Sequence, residues 1–419
     1  MRPSTLVLVL LFLLQTTGGA TAAIVVDLNG GGDYLTLSEG IAAAVTGDTV
    51  LVAPGTYYGE LNRDLSFGGK DIAVMALGLA RDPIILDAEE SGRCFLFNSG
   101  EGPNARLEGL VMVRGNASDG GAVFCDGFVS PTIVDCDFTA CTADRGAGLN
   151  CSDGASPSVV SCTFRENTAS AAGGGIRCTN GASVDVQDCL FKCNRAAWGG
   201  GIMLRAGSTA TIDGTTFEAN EAVFSGGLRV ENAAATVTNC VFLGNTAESG
   251  GGMGSGDSGM VTMEYCVFRD NVATNRGAGY ACGTPADVSH CTFVGGSAPT
   301  GNGIFSGPPQ GDMFMTACIV AFGSGPAMTC DPGGAPGVTR CCFFGNSGGD
   351  TPCVRYTDII YDNPWFCGLV MGDLTLNEAS ACLPANNPWG EQIGAFGEGC
   401  AGAVPVEQAS WGAIKAMYR

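Results

Sequence analysis

The sequence is poor in several residue types that catalytic and nucleic-acid-binding sites commonly use. Of its 419 residues only one is a histidine, His290, and lysine and arginine together number 20 against 41 aspartates and glutamates. The net charge of -21 would repel nucleic acids and anionic membranes and would attract Ca²⁺ or basic partners. With a single histidine and no pair of Cys-x₂-Cys knuckles, no zinc site is expected.

Long apolar segments are absent beyond the amino terminus. Arg2 precedes the apolar run Leu6–Leu14, and Ala20-Thr21-Ala22 has the small-x-small pattern of a cleavage site. This arrangement predicts a secretory signal peptide over residues 1–22, cleaved near Ala22. No later stretch has the roughly 18 apolar residues that a membrane-spanning helix needs. We therefore expect a secreted or cell-surface protein with no transmembrane segment in the mature chain.

What the sequence does contain is a unit of about 26 residues that recurs between residues 107 and 346. Its clearest mark is Cys-x-Phe, found at Cys136–Phe138, Cys162–Phe164, Cys189–Phe191, Cys240–Phe242, Cys266–Phe268, Cys291–Phe293 and Cys341–Phe343. An asparagine usually follows three residues after the phenylalanine, and a glycine cluster comes next. A fixed period of this length indicates that one small unit stacks on its own copies.

One copy of the unit, residues 173–194, shows how such a coil is built. It contains three short alternating segments, Ile176-x-Cys178, Val184-x-Val186 and Cys189-x-Phe191, separated by turn residues. Alternation of this kind is typical of strands with one buried face. Since no tight hairpin dipeptide separates these short strands, they cannot form a meander, and each is expected to pair with the same strand of the next coil. The prediction is an all-β, single-stranded parallel β-helix with three parallel sheets, right-handed by the general preference for that connection.

Two positions of the unit have residue types that favour turns. Aspartate, asparagine, glycine and histidine, the types that best tolerate a positive φ, predominate at the position before the cysteine, so this position predicts a sharp bend. Its residues are Asp135, Ser161, Asp188, Gly214, Asn239, Tyr265 and His290. The asparagine position predicts a second turn, in which stacked amides hydrogen-bond along the axis. We therefore interpret His290 as a structural residue of the bend before the cysteine.

The remaining segments predict caps at both ends. Thr36 and Glu39 form a capping box that opens a short helix. We divide the chain into the signal peptide (1–22), an N-terminal cap with the first coils (23–106), the repeats (107–346), an irregular cysteine-rich C-terminal cap (347–403) and a tail (404–419). For the tail we consider two roles, a sorting signal or a plain terminal helix.

The 21 cysteines allow two interpretations. In an exported protein they suggest a disulfide framework. Many of them, however, recur at one position of the unit, as buried core residues would, which suggests a ladder of stacked thiols. An odd number leaves at least one thiol unpaired in a monomer. Within the C-terminal cap we predict a disulfide between Cys367 and Cys382.

These features resemble right-handed parallel β-helix repeat proteins with the pectate-lyase-like superfold, over nearly all of residues 24–400. The opening Asp33-Tyr34-Leu35-Thr36-Leu37, followed by Gly47-Asp48-Thr49-Val50, is similar to that group. The Gly-Gly-x-Ile and Phe-x-x-Asn motifs resemble the repeats of polymorphic outer-membrane proteins, which are bacterial surface proteins with adhesive passengers. The first resemblance implies the fold and a relation to lyases, hydrolases and epimerases of acidic polysaccharides. The second implies adhesion.

The site patterns of those enzymes are not found in this sequence. It has no Asp-Asp pair, no Gly-His-Gly and no Arg-x-Lys, and it has no repeated Ca²⁺ motif. Gly251–Asp257 is similar to a Ca²⁺-binding nonapeptide, but its spacing differs by one and it occurs once. No cofactor is predicted, and Ca²⁺ binding is kept as an alternative that no motif supports.

Five residues remain as candidates for ligand binding. Arg177, Arg205 and Arg229 are predicted to form a basic stripe on one strand position of consecutive coils, suited to uronate carboxylates. Asp135 and Asp137 form the best acidic group. The alternative for the arginines is an ordinary solvated face, and the alternative for the aspartates is a structural role in turns.

Two functions follow as hypotheses. The first is an exported, non-enzymatic module that acts as an adhesin-like or structural protein and binds a polysaccharide or cell-surface glycan. The alternative is a lyase or hydrolase that acts on an anionic polysaccharide.

Overall fold

A computed structural model describes residues 22–78, 83–307, 313–332, 336–353 and 355–401. The predicted signal peptide, apart from Ala22, and the predicted tail lie outside the described residues. Within them the chain forms a parallel β-helix of four sheets, numbered here in the order in which one coil passes through them.

Sheets 1 and 2 are the longest. The fourteen strands of sheet 1 are Ala23–Val26, Thr49–Val52, Ala73–Ala76, Arg106–Glu108, Thr132–Val134, Ser158–Val160, Ser183–Gln187, Thr209–Asp213, Ala234–Thr238, Met260–Glu264, Ala286–Ser289, Met313–Thr316, Gly337–Thr339 and Tyr356–Thr357. The twelve strands of sheet 2 are Gly55–Tyr57, Ile84–Asp87, Val111–Val113, Asp137–Thr139, Thr163–Arg165, Leu190–Lys192, Thr216–Glu218, Val241–Leu243, Val267–Arg269, Thr292–Val294, Ile319–Ala321 and Cys342–Phe344.

Sheets 3 and 4 complete each coil. The seven strands of sheet 3 are Asn116–Asp119, Thr142–Arg145, Thr168–Ala172, Arg195–Trp198, Glu221–Phe224, Thr246–Ser249 and Val272–Arg276. The eleven strands of sheet 4 are Leu65–Ser66, Phe95–Phe97, Val123–Asp126, Leu149–Ser152, Ile176–Cys178, Ile202–Arg205, Leu228–Glu231, Met253–Gly256, Tyr280–Cys282, Ile304–Ser306 and Met328–Cys330.

Sheet 3 is not among the three sheets that the sequence predicts. It lies between the asparagine position and the glycine cluster, where the sequence pattern predicts only a turn. Its strands alternate inward alanines, such as Ala169 and Ala247, with exposed residues such as Thr168. Because alanine is small, this alternation gives a weak signal.

The interior is a stack of identical residues from consecutive coils. Phe138, Phe164, Phe191, Phe217, Phe242, Phe268 and Phe293 form one continuous stack, with neighbouring ring centroids 4.3–5.1 Å apart. All seven rings are almost completely buried. Parallel pairing places each ring directly beside its copy, as in Phe164 opposite Phe191, so the hydrophobic core extends along the whole axis.

The bend predicted before each cysteine is confirmed. Asp135, Asp188 and His290 have φ values of 49°, 51° and 51°. The same position has a positive φ at Asn239 and, unexpectedly for an aromatic residue, at Tyr265. One residue in the left-handed region at this position turns the chain from sheet 1 into sheet 2.

The predicted amide ladder is also present. Asn194 donates from Nδ2 to the Asn220 Oδ1 at 3.0 Å and to the Phe164 carbonyl at 2.8 Å, and its backbone N–H donates to the same Asn220 Oδ1. Asn167, Asn220 and Asn245 repeat this arrangement. Each buried side chain thus hydrogen-bonds to the preceding coil and to the following one, and ties its own coil to both.

Most of the cysteines are free thiols, and those at the repeated position form a thiol ladder rather than disulfides. Seventeen are free, and Cys193 alone among them is exposed. In the ladder the thiol of Cys189 donates to the carbonyl of Gln187 at 3.2 Å and accepts from the backbone N–H of Cys162 at 3.4 Å. Burial raises the pKa of the Cys141 thiol to about 12, so this thiol stays protonated and unreactive.

The predicted disulfide Cys367–Cys382 is wrong. The structure pairs Cys367 with Cys400 and Cys330 with Cys353. A small sheet of the C-terminal cap, formed by Phe366–Gly368, Asp373–Asn377 and Glu398–Cys400, brings Cys400 to Cys367. Cys382 is buried instead among the apolar residues through which the cap packs against the outer face of sheet 2.

The N-terminal end has the predicted helix, Leu37–Ala43. Thr36 caps it, because its Oγ1 accepts from the Glu39 N–H and donates to the Glu39 carboxylate. Leu37 and Ile41 are buried in the core, so the helix covers the first coil and protects an open sheet end. A 3₁₀ turn, Glu60–Asn62, packs beside it.

A count of thiols tests the ladder. Under native, non-reducing conditions a maleimide should label one thiol per chain, that of Cys193, and after unfolding without reductant it should label 17. Cys193→Ser should abolish the native labelling and lower the count after unfolding by one. A count near zero after unfolding would show that the cysteines are paired and that the ladder does not exist.

Removal of one ladder amide should destabilise the fold. Asn220→Ala deletes a completely buried side chain that makes hydrogen bonds to two neighbouring coils, and it leaves backbone groups without partners. We expect a loss of about 3 kcal/mol in the free energy of unfolding, measured by denaturant titration. Thr211→Ala, at an exposed position, is the control and should change it by less than about 0.5 kcal/mol.

Candidate functional site

The outer face of sheet 1 is a regular array of short side chains. Because the strands are in register, outward residues form columns that run parallel to the helix axis. The central column contains Ser158, Asp185, Thr211, Thr236, Thr262, Asp287 and Phe314 in consecutive coils. The alternate residues, such as Val186 and Ile212, point into the core and are buried. Neighbouring positions of a column are about 4.8 Å apart.

A trough of about 390 Å³ lies in this face. It exists because the column beside the central one contains the small residues Ser183 and Ala234, whereas Met260 projects at one end. Seven serine and threonine side chains line it: Ser156, Ser158, Ser183, Thr209, Thr211, Thr236 and Thr262. Its volume lies within the range of ligand-binding clefts in proteins.

The chemistry of the trough is that of hydroxyl groups. Asp185 is its single charged lining residue, and its carboxylate accepts from the Gln187 side chain at 2.7 Å. Glycoside hydrolysis commonly uses two carboxylates on opposite sides of the scissile bond. Among the described residues that line the trough there is no second acid and no basic residue, so the lining offers hydrogen bonds and no acid–base pair.

The predicted basic stripe is wrong in its register. Arg177 lies opposite Met203, which lies opposite Arg229, whereas Arg205 lies opposite Glu231. The glycine clusters set Ile176 opposite Ile202. As a result, Arg205 is displaced by two residues, or about 7 Å along the strand.

Arg229 is held by the protein itself. Its side chain is only 14% exposed and lies 3.5 Å from the Glu231 carboxylate, and its guanidinium stands 5.4 Å from the centre of the Trp198 ring. Burial lowers the pKa of Arg229, and Glu231 opposes that shift. A β-carbon at Gly256 would come within 2.5 Å of this guanidinium, so Gly256, in the segment 251–257 that is similar to a Ca²⁺ motif, makes room for an arginine.

Arg177 and Arg205 differ in their surroundings. Arg177 is partly buried and donates to the Asn150 side chain at 3.2 Å. Burial lowers the pKa of Arg177, and Arg145 and Arg205 nearby lower it further. Arg205 is exposed. All three lie on sheet 4, and none lines the trough on sheet 1.

The predicted acidic residues also lie away from the trough. Asp135 is exposed at the bend between sheets 1 and 2. Asp137 forms an ion pair with Arg165 at 3.0 Å and accepts from the Thr139 hydroxyl at 2.6 Å. Among the residues that the structure describes, no group of three or more histidines, cysteines and acids is placed to hold a metal ion.

Sequence reasoning missed the trough because its residues are common surface types. The signal that identifies it is positional: Thr211, Thr236 and Thr262 recur at one outward position of consecutive coils. That pattern becomes visible once each strand is aligned on its inward valine, isoleucine or methionine.

None of the described helices is long and apolar enough to cross a membrane.

A family model described as a right-handed beta helix region matches residues 121–305. Together with the four parallel sheets of the structure, this match shows that the chain has the predicted fold, a right-handed parallel β-helix. No curated protein matches the sequence.

Solved structures give distant likenesses. A pectate lyase (Pel9A) is 12% identical, with 91% of this chain and 97% of that chain covered and a TM-score of 0.47. The catalytic unit of an alpha-1,3-glucanase from Streptomyces thermodiastaticus is 16% identical, with coverage of 80% and 70% and a TM-score of 0.39. A periplasmic alginate epimerase is 9% identical, with coverage of 75% and 77% and a TM-score of 0.34. At these values the likenesses do not bear on activity.

Two arginine variants distinguish a structural role from a ligand-binding one. Arg229→Ala removes one partner of a mostly buried ion pair, so it should lower the free energy of unfolding by about 2 kcal/mol, measured by denaturant titration. Arg205→Ala removes an exposed side chain and should change it by less than about 0.5 kcal/mol. Equal, small effects of the two variants would show that Arg229 is not held as described.

Proposed function

We propose that this protein is an exported, non-enzymatic binding module that holds an extended polysaccharide along the trough of sheet 1. The observation that carries the proposal is the trough itself, an elongated depression of about 390 Å³ lined by seven hydroxyl side chains. Hydroxyl groups donate and accept hydrogen bonds, which matches the hydroxyl-rich edges of sugar residues. The repeat of about 4.8 Å along the axis offers the same contact many times to a polymer.

The rigidity of the platform supports the same function. Every strand that lines the trough is hydrogen-bonded to neighbours on both sides, and its inward residues are packed in the continuous core. A rigid surface loses little conformational entropy when a ligand binds. An extended polymer could therefore bind with modest contacts per sugar and gain affinity from their number.

The lack of an acid–base pair favours binding over catalysis. A lyase or hydrolase of an anionic polysaccharide, the alternative function, would need carboxylates or a basic residue that converge on one bond of the substrate. Asp185 is alone in the trough, and the ion-paired Asp137 and Arg229 lie elsewhere. Export and display at the cell surface remain part of the proposal, and they rest on the predicted signal peptide.

Obstruction of the trough tests the proposal. Thr211→Tyr, at an exposed position in the centre of the lining, should weaken the retention of a bound polysaccharide at least about tenfold, because a bulky ring fills the depression. The measurement is a pull-down series with insoluble and immobilised polysaccharides of different linkage and charge. Folding of the variant is checked by its unfolding midpoint.

The matched control is Thr168→Tyr, which places the same ring at an exposed position of sheet 3. It should bind as the unmodified protein does. If both variants retain the polysaccharide equally, the binding site lies elsewhere. If the unmodified protein retains none of the panel, the proposed function is wrong.

A further inference from the structure

The outer face of sheet 1 has a charge pattern that narrows the class of ligand. From Thr132–Val134 to Gly337–Thr339, the outward positions of its described strands contain no lysine and no arginine. They do contain four acids, Asp185, Asp213, Glu264 and Asp287. A polyanion lying along this stretch of the face would meet only charges of its own sign, in a chain whose net charge is -21. Arg106, which lies in the central column two coils before Ser158, is paired with the Glu108 carboxylate.

The acids on this face are partly used by the protein. Asp213 accepts from the Thr238 hydroxyl at 2.5 Å and from the Asn239 side chain at 2.8 Å, and these bonds lower its pKa. Asp185 is held by Gln187 at 2.7 Å. Carboxylates with such partners have less capacity to bind a cation, and within the trough the seven serine and threonine hydroxyls outnumber the one carboxylate.

The trough is continued by an aromatic residue. Phe314 occupies the same column, two coils beyond Thr262, and its side chain is 58% exposed. One edge of the ring lies against Gly337 of the next strand, where an added β-carbon would be 3.2 Å from the ring. The ring is therefore supported from one side by a residue without a side chain and is largely open to solvent.

Such a ring is suited to the apolar face of a sugar. An exposed aromatic side chain carries more apolar area than any other residue type and is rigid, so contact with it costs little entropy. From Ser158 to Phe314 the central column makes six steps, which is about 29 Å at the spacing of parallel strands.

We infer that the ligand of sheet 1 is an uncharged polysaccharide chain that extends along the central column and stacks one sugar ring on Phe314. The inference rests on the proposed function and goes beyond it in two respects. It names the charge class of the polysaccharide, and it adds a subsite two coils beyond the trough.

The test compares chain lengths and charges on the full protein. The probes are neutral β-1,4- and β-1,3-linked glucan oligosaccharides, as trimers and octamers, with oligogalacturonate as the anionic probe and chitosan oligomers as the cationic one. We expect a neutral octamer to bind with an affinity that is insensitive to salt. Phe314→Ala should raise its Kd about tenfold and leave the Kd of the trimer, which fits within the trough, unchanged. Phe314→Trp, which keeps an aromatic ring at this position, should bind the octamer as tightly as the unmodified protein does.

Phe128→Ala is the control, since Phe128 is 91% exposed and does not lie on sheet 1. It should bind the octamer as the unmodified protein does. Binding of the octamer by Phe314→Ala at full strength overturns the inference. So does a preference for oligogalacturonate or chitosan, although in either of those cases polysaccharide binding itself survives. If none of the probes and no member of the wider panel binds, the proposed function is wrong, and the inference that rests on it is wrong as well.

Discussion

The structure depends on one constraint, the exact vertical register of each coil on the one before. Hydrogen bonds between parallel strands set this register, and they put a given position of the repeat directly over its own copies. Inside, the consequence is a stack of phenylalanines, a ladder of asparagine amides and a column of thiols. Outside, it is a set of columns in which even ordinary residues are repeated at a spacing of about 4.8 Å. The core and the candidate binding face are therefore two results of the same geometry.

Residues that depend on the repeat could be predicted from the sequence. Asp135, Asp188 and His290 share a position that tolerates a positive φ, and the structure places all three in that conformation. Asn194 was expected in a turn with stacked amides, and it bonds to Asn220 as expected. In these cases the local requirement is the same in every coil, so a pattern repeated many times identifies it.

Residues whose surroundings are unique could not be predicted in the same way. The basic stripe failed because Arg205 follows Ile202 by three residues, whereas Arg177 follows Ile176 by one, and only strand pairing decides which residues are neighbours. The partner of Cys367 depends on how the C-terminal cap folds back on sheet 2. The trough was missed because threonine and serine are common in exposed strands, and their meaning lies in their alignment.

The structure separates the two hypotheses about function by where its polar groups lie. The ion pairs, including those of Asp137 and Arg229, belong to the scaffold, whereas the trough offers hydroxyl groups and the single acid Asp185. The most direct measurement is the chain length of each polysaccharide that the purified protein retains, before and after prolonged incubation with it. We predict that the protein binds polysaccharide and leaves its chain length unchanged. Shortened chains, from a reaction that stops when a single acidic or basic side chain is replaced, would contradict this prediction.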